Sequence, residues 1–219
     1  RRVPITESGC AAGALALGLA KGFVERGERA LVVAVELCSL SLIREDATRT
    51  NLVASVLFGD GAAAAVLAPD GAGPRLVASG SELLPETRGM MGFDVGTHGL
   101  RIVLQRELPA VLARELRRSI EAFLARHGRG LGDVGLHLVH PGGRRILEAY
   151  AEIFGLERGA LDLSHESLRR FGNLSSASVL TLLEMVLERS VRPDQGKVAL
   201  LVGVGPGLSL ELSLWSWDS

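Results

Sequence analysis

Apolar residues along the chain fall into short blocks of two kinds, and the two kinds alternate. Residues 30–36, Ala-Leu-Val-Val-Ala-Val-Glu, form a nearly continuous apolar run rich in β-branched side chains, which predicts a buried strand. Similar runs at 62–67, 76–84, 100–104, 136–139, 198–202 and 208–214 predict further strands. Helical spacing occupies the stretches between. Residues 11–26 end at Gly27, and the first ten are nearly all Ala, Leu and Gly, which predicts a helix buried on most sides. Residues 108–127 predict a long amphipathic helix with Pro109 in its first turn, where the missing N–H costs nothing. Helices are also predicted at 144–154, 164–171 and 176–189, the last followed by Pro193 as a stop. Residues 37–51 are polar and irregular, 52–58 are apolar and ambiguous, and 85–98 read as loop. Strands alternating with helices predict an α/β layered fold, sheets covered by helices. The Pro-Asp-Gly-Ala-Gly-Pro stretch over 69–74 is the best linker, and the pattern restarts after it.

Composition narrows the function classes. The 219 residues are 47% hydrophobic and carry a net charge of −1, a balance that favours neither nucleic acid nor an anionic membrane as partner. No run reaches about 18 apolar residues, so no transmembrane helix is expected. Two cysteines, Cys10 and Cys38, do not make a disulfide framework and fit a reduced, cytoplasmic setting. There are two lysines among the 24 basic residues, which with abundant Ala and Gly fits a GC-rich bacterial genome. The opening Arg-Arg-Val-Pro has no signal-peptide core and no initiator Met, which suggests that part of the fold lies outside this chain.

Three motifs carry chemistry: Gly9-Cys10, His140-Pro141-Gly142-Gly143 and Gly172-Asn173-Leu174-Ser175-Ser176. Each reads as a strand or loop end running into a helix. A cysteine just before a helix meets free N–H groups and the positive dipole end, which stabilises a thiolate; it is equally readable as a small buried hydrophobe. Cys38, in a loop with no helix behind it, reads as a pocket lining. His140 ends an apolar strand, where ligands bind in α/β sheets, and glycines beyond it permit close approach. A lone histidine is usually structural, so His140 counts only in company. His98, His127 and His165 read as solvated, and His137 as facing a helix layer. Asn173 offers an amide donor for a developing oxyanion, although Asn, Ser and Gly are also ordinary capping and turn residues. Gly203-x-Gly205-x-Gly207 lacks the following helix that a dinucleotide loop needs, so it reads as a tight connection between strands that lines a site. No zinc spacing, P-loop or Gly-x-Ser-x-Gly elbow occurs.

Taken in order, Gly9-Cys10-Ala11-Ala12-Gly13, Leu57-Phe58-Gly59-Asp60-Gly61, His140-Pro141-Gly142-Gly143, Gly172-Asn173-Leu174-Ser175-Ser176 and Gly203-Val204-Gly205-Pro206-Gly207 resemble the type III polyketide synthases, the chalcone and stilbene synthase family. The resemblance spans the chain. It implies a thiolase-like fold of two related halves, residues 1–70 being the remainder of the half that carries Cys10 and 71–219 the half that carries His140 and Asn173. It implies Cys10 as the acyl-accepting nucleophile, with His140 and Asn173 completing the catalytic set. Phe58 matches a gate residue; a second gate phenylalanine is replaced by Ile102. Cys38 and Ser41 match positions lining the elongation cavity. Gly142, Gly143 and Arg144 fall where coenzyme A passes, and Gly205 and Pro206 lie in the closing loop.

The implied reaction is decarboxylative condensation of malonyl-coenzyme A onto a starter acyl-coenzyme A, in a homodimer, with no cofactor beyond the thioester substrates. Ketoacyl synthase III, the fatty-acid initiation enzyme, shares the triad but typically has Gln-Ala-Asn after its histidine, where this chain has Pro-Gly-Gly. Thiolases would need a second catalytic cysteine near the final glycine loop. A non-catalytic thiolase-fold binding protein would be expected to lack one of the three residues. Family chains are substantially longer, so the segment alone is expected to expose apolar sheet and helix surface and neither to fold nor to work by itself.

Overall fold

In a computed structural model, which describes residues 1–97 and 99–217, the chain builds alternating layers of sheet and helix. The first element is α1 (Ala12–Val24), entered through a 3-10 turn at Gly9–Ala11. It is followed by β1 (Ala30–Glu36), α2 (Arg49–Leu57) and β2 (Gly61–Leu67). Next come β3 (Arg75–Leu83), the hairpin β4 (Met91–Gly96) and β5 (Gly99–Leu104), and α3 (Leu108–Arg126). The remainder is β6 (Val134–Val139), α4 (Arg144–Phe154), α5 (Asp162–Phe171), α6 (Ala177–Glu188), β7 (Val198–Gly205) and β8 (Ser209–Ser216).

The main sheet has the order β3-β8-β7-β6, with β6 and β7 parallel and the other pairs antiparallel. Every residue of β7 is buried, because both faces are covered. Leu200 and Val202 face α3 and α4, packing with Phe123, Leu124, Leu147 and Tyr150. Ala199 and Leu201 face the other way, against Ala14 and Leu17 of α1 and Val179 and Leu180 of α6. Helices α1 and α6 are thus sandwiched between the main sheet and the two-stranded β1–β2 sheet, whose Val32 and Ala34 complete that core. Of the first ten residues from Ala11, only Leu19 is exposed, as the Ala/Leu/Gly composition predicts.

Two expectations need correction, and one open stretch is resolved. The 30–36 run is a strand, but it is not buried on both faces: Leu31, Val33 and Val35 are 66%, 59% and 62% exposed. Their alternation with buried Val32 and Ala34 follows from strand pleating, with one face on the helices and the other uncovered among the described residues. The apolar surface expected of this segment is therefore present. The 85–98 stretch is not all loop, since Met91–Gly96 is strand β4; its two glycines and an aspartate hide the strand pattern, and pairing with β5 supplies what propensity does not. The ambiguous 52–58 run lies mostly in α2, whose N-cap Thr48 accepts a hydrogen bond from the Asn51 N–H.

His137 does face a helix layer, with Nδ1 2.9 Å from the Tyr150 hydroxyl on α4. His127 is exposed, His165 is partly buried in the first turn of α5, and His98 lies outside the described residues. No helix among the described residues is long and apolar enough to cross a membrane.

The crossing of α1 over the start of α6 depends on Gly13, where a Cβ would stand 2.1 Å from the Ser176 carbonyl oxygen. Backbone cannot yield as a side chain can, so Gly13→Ala should destabilise by about 3 kcal/mol, the upper end of overpacking costs. Gly22, in the same helix with nothing near its Cβ position, should behave oppositely. Gly22→Ala is expected to stabilise by about 0.5–1 kcal/mol through helix propensity alone. Urea midpoints of the two variants test this, and equal midpoints would remove the close-approach argument.

Candidate active site

Two helix starts meet in this crossing, and each brings one of the motif residues. Cys10 sits in the 3-10 turn that enters α1 and is partly buried. Behind it, Gly205 of β7 has no room for a side chain: a Cβ would be 2.5 Å from both the Ala11 Cβ and the Ser8 carbonyl oxygen. The ring of Pro206 packs against Gly9. Gly205 and Pro206, expected as site lining, thus seat the turn that carries the thiol.

Asn173 lies just before α6. Its N–H donates to the Leu57 carbonyl (2.8 Å), and its carbonyl accepts from the Gly59 N–H (3.0 Å), a short parallel bridge between Phe58 and Asn173. Its side-chain oxygen accepts from the Ser175 N–H at 2.8 Å, which fixes which way round the amide lies. The Nδ2 group is then left to donate toward Cys10 Sγ at 3.9 Å. Ser175 takes a positive φ of 50°, rare for a side-chain-bearing residue, which turns the chain between Asn173 and α6.

His140 continues β6 by one bond, its N–H donating to the Val202 carbonyl at 2.8 Å. The side chain is 3% exposed, and neither ring nitrogen has a hydrogen-bond partner among the described residues. Buried polar atoms are normally satisfied, so two free nitrogens on one ring make His140 a candidate for contact with a bound group. Gly142 leaves this ring open, since a Cβ there would stand 3.2 Å from the His140 Cδ2. Gly143 precedes α4 at a φ of 150°, over the Leu57 side chain. Arg144 points to solvent and pairs with Glu148 at 2.7 Å.

The electrostatics differ from the thiolate that a cysteine at a helix start suggests. Burial pushes the Cys10 thiol above its ordinary value; the Ser175 and Asn173 side chains pull it back, and the Glu36 carboxylate pushes it up again. Burial also holds the His140 imidazole down at about 4. Desolvation dominates at each group, so the thiol and the imidazole both rest neutral.

The four expected lining residues are brought together. Phe58, Cys38, Ser41 and Ile102 line one cavity of about 100 Å³, with Ile102 reaching it from β5. Burial, with a smaller contribution from Glu36, pushes the Cys38 thiol up to about 11. Glu36 itself was missed in the sequence. It accepts hydrogen bonds from the Ser176 N–H at 3.2 Å and from the Ser176 hydroxyl, tying the end of β1 to the Asn173 loop. Its signal was a lone carboxylate closing an otherwise apolar strand. No cluster of metal-ligating side chains occurs among the described residues.

Residues 75–216 match the model for the C-terminal domain of chalcone and stilbene synthases. The chain belongs to that family. Residues 6–82 match the model for 3-oxoacyl-[acyl-carrier-protein] synthase III. Among curated relatives of this chalcone and stilbene synthase family member, the 1,3,6,8-tetrahydroxynaphthalene synthase of Streptomyces peucetius subsp. caesius is 41% identical over 99% of the chain. A putative chalcone synthase of Bacillus subtilis (strain 168) is 33% identical over the whole chain. The chain spans 59% and 62% of those two proteins. The crystal structure of the Streptomyces coelicolor A3(2) tetrahydroxynaphthalene synthase, a bacterial type III polyketide synthase, superposes with a TM-score of 0.93 at 35% identity, over 100% of this chain and 63% of that one. The fold is thiolase-like, as the motifs implied.

Two outcomes follow from the charge states. The alkylation rate of Cys10 by iodoacetamide should keep rising through the alkaline range, without a plateau at pH 7, and Asn173→Ala should move the curve further up. A wild-type plateau by pH 7 would show a resting thiolate instead. Separately, His137 and His140 are both held at about 4, below their ordinary 6.5. The unfolded chain binds protons there that the folded chain refuses. Their contribution to stability is therefore full above pH 6.5 and is lost as pH falls toward 4. Urea midpoints at pH 7 and pH 4.5 check the sign.

Proposed function

We propose that this chain carries the reacting centre of a type III polyketide synthase, which condenses malonyl-coenzyme A units onto a starter acyl group held on Cys10. The observation that carries the reading is the contact of the oriented Asn173 amide with the Cys10 sulfur at 3.9 Å, across 163 residues of sequence. The unpartnered, buried His140 supports it. Membership of the chalcone and stilbene synthase family supports the substrate class.

In this reading His140 takes the Cys10 proton as the sulfur attacks the starter thioester. The coenzyme A thiolate leaves and is protonated by the imidazolium, which restores neutral His140. A malonyl thioester then directs its carbonyl oxygen to His140 and to the Asn173 Nδ2. Loss of carbon dioxide leaves an enolate whose oxyanion these donors stabilise. The enolate carbon attacks the acyl carbon, the C–S bond to Cys10 breaks, and the chain is longer by two carbons. The donor to the oxyanion from His140 must be an N–H, which the neutral ring supplies from one nitrogen. Apolar walls such as Phe58 exclude water that would hydrolyse the acyl-enzyme.

The finer expectations stand as parts of the same proposal: coenzyme A thioesters as the sole small-molecule requirement, a homodimer, a cytoplasmic setting, and halves dividing near residue 70. The rival is a ketoacyl synthase III-like initiation enzyme, which the match over residues 6–82 would suit. Pro141-Gly142-Gly143 after the histidine and the family match over 75–216 favour polyketide extension.

The test uses the protein expressed from its full reading frame. With a starter and malonyl-coenzyme A, intact mass should show acyl on the wild type and none on Cys10→Ala. Asn173→Ala should slow malonyl-coenzyme A decarboxylation about 100-fold, the usual effect of removing one oxyanion donor. Acyl still bound to the Cys10→Ala protein, or an unchanged decarboxylation rate in both Asn173→Ala and His140→Ala, would sink the assignment.

A further inference from the structure

The wall of the Cys38–Ile102 cavity is an unusual piece of chain. After β1 ends at Glu36, residues 37–46 form only a 3-10 turn, Cys38–Ser41, and irregular backbone. Leu40 is 80% exposed and Leu42 is also exposed, so little of this segment is anchored by hydrophobic burial; Ile43 is its one buried apolar side chain. Its internal bonds are local: Ser41 Oγ to the Cys38 carbonyl at 2.7 Å, Leu40 N–H to the Leu37 carbonyl, and Leu42 N–H to the Ser39 carbonyl. Such bonds shape a turn but do not say where the turn sits.

Its position is set by side chains from outside. At the far end, the Asn51 Nδ2 donates to the Ile43 and Asp46 carbonyls, both at 2.7 Å, and Arg101 stands 3.6 Å from Asp46. At the near end, beside Cys38, Asp60 takes Ser39 in both arms. One carboxylate oxygen accepts from the Ser39 N–H at 2.7 Å and the other from the Ser39 hydroxyl at 2.6 Å. Charge-assisted, two-point contacts of this kind fix orientation as well as distance. Asp60 belongs to the turn after Phe58, and that turn is tied to the Asn173 loop through the Gly59 N–H and the Phe58–Asn173 bridge. A continuous set of bonds therefore runs from Asn173, whose amide meets Cys10, through Phe58–Asp60, to Ser39 in the cavity wall.

We propose that Asp60 is a positioning residue for product length: by gripping Ser39 it sets the distance between the reacting centre and the Cys38–Ser41 wall, and so the room for a growing chain. This rests on the reading of the site as a condensing enzyme. Asp60 touches no reacting atom and acts through Ser39. Its carboxyl is held below the usual range by the two Ser39 bonds, so it stays ionised at any working pH.

The experiment uses the full-reading-frame protein with malonyl-coenzyme A and an acyl-coenzyme A starter, and two readouts. In Asp60→Ala, the ratio of wild-type product to products of other chain length should shift about tenfold, which corresponds to about 1.4 kcal/mol. Asp60→Asn keeps one acceptor oxygen and Ser39→Ala keeps the N–H contact; both should shift the ratio in the same direction by less. Ser39→Thr, which retains the hydroxyl and the N–H, should behave as wild type. The second readout needs no turnover. The Asp60 carboxylate also raises the Cys38 thiol, so the labelling test uses Ser39→Ala, which keeps that charge: iodoacetamide should label Cys38 several-fold faster there, while Cys10 labelling and Cys10 acyl loading stay at the wild-type rate.

If Asp60→Ala folds poorly, the Asp60→Asn and Ser39→Ala proteins carry the test. Wild-type product ratios in these variants and wild-type Cys38 labelling in Ser39→Ala would overturn the proposal. A wild-type protein that never loads acyl on Cys10 would instead overturn the functional reading on which it rests, and the two failures are told apart by the wild-type intact mass.

Discussion

The structure depends on how closely the start of α1 can approach its neighbours. Where Gly13 meets the Ser176 carbonyl and Gly205 meets Ala11 and Ser8, a single methyl group would not fit. These contacts bring the turn that carries Cys10 down onto β7 and against the loop that leads into α6 and carries Asn173. Without them the two helices would still bury their apolar faces, but about a side chain's thickness further apart. The 3.9 Å approach of the Asn173 amide to the Cys10 sulfur would be lost. Small residues here are a geometric condition for the chemistry rather than a feature of core packing in general.

That closeness has an electrostatic consequence. Drawing the thiol and the imidazole into the interior raises one and lowers the other, so the site rests uncharged. A neutral Cys10 and a neutral, unpartnered His140 cost less to bury than their charged forms would. Ser175 and Asn173, in the loop before α6, and Glu36, at the end of β1, modulate the thiol. The cavity wall obeys a different rule. It has almost no apolar anchor, and its place is set by polar clamps from Asp60 and Asn51. A wall held this way can be altered without disturbing the core.

Most elements were legible from periodicity, and the reasons for the exceptions are physical. β1 and α4 match their predicted bounds, because an unbroken apolar run and a strongly amphipathic one leave little choice. β4 was hidden because Met-Gly-Phe-Asp-Val-Gly has weak strand propensity, and its pairing with β5 is a tertiary fact. The uncovered face of β1 was hidden because an apolar run states that a strand can be buried on both faces, not that another layer is there to do it. Of the site, the motifs pointed to Cys10, His140 and Asn173 and to four cavity residues. Glu36 and Asp60 were not singled out, since a carboxylate's partners lie far off in sequence: Ser176 for Glu36 and Ser39 for Asp60.

By itself, then, the order of residues determined the alternation of strands and helices, the family resemblance, and which side chains could act as nucleophile, base and donor. Those follow from local physics: side-chain periodicity, glycine and proline stereochemistry, and the few functional groups able to do acyl chemistry. The tertiary structure decided the rest. It decided which way the Asn173 amide faces, through one N–H from Ser175, and that Cys10 and His140 each rest neutral, through burial. It also decided where the cavity wall stands, through the grip of Asp60 on Ser39. Orientation, desolvation and distance are properties of groups brought together from far apart in the chain, and no local pattern encodes them.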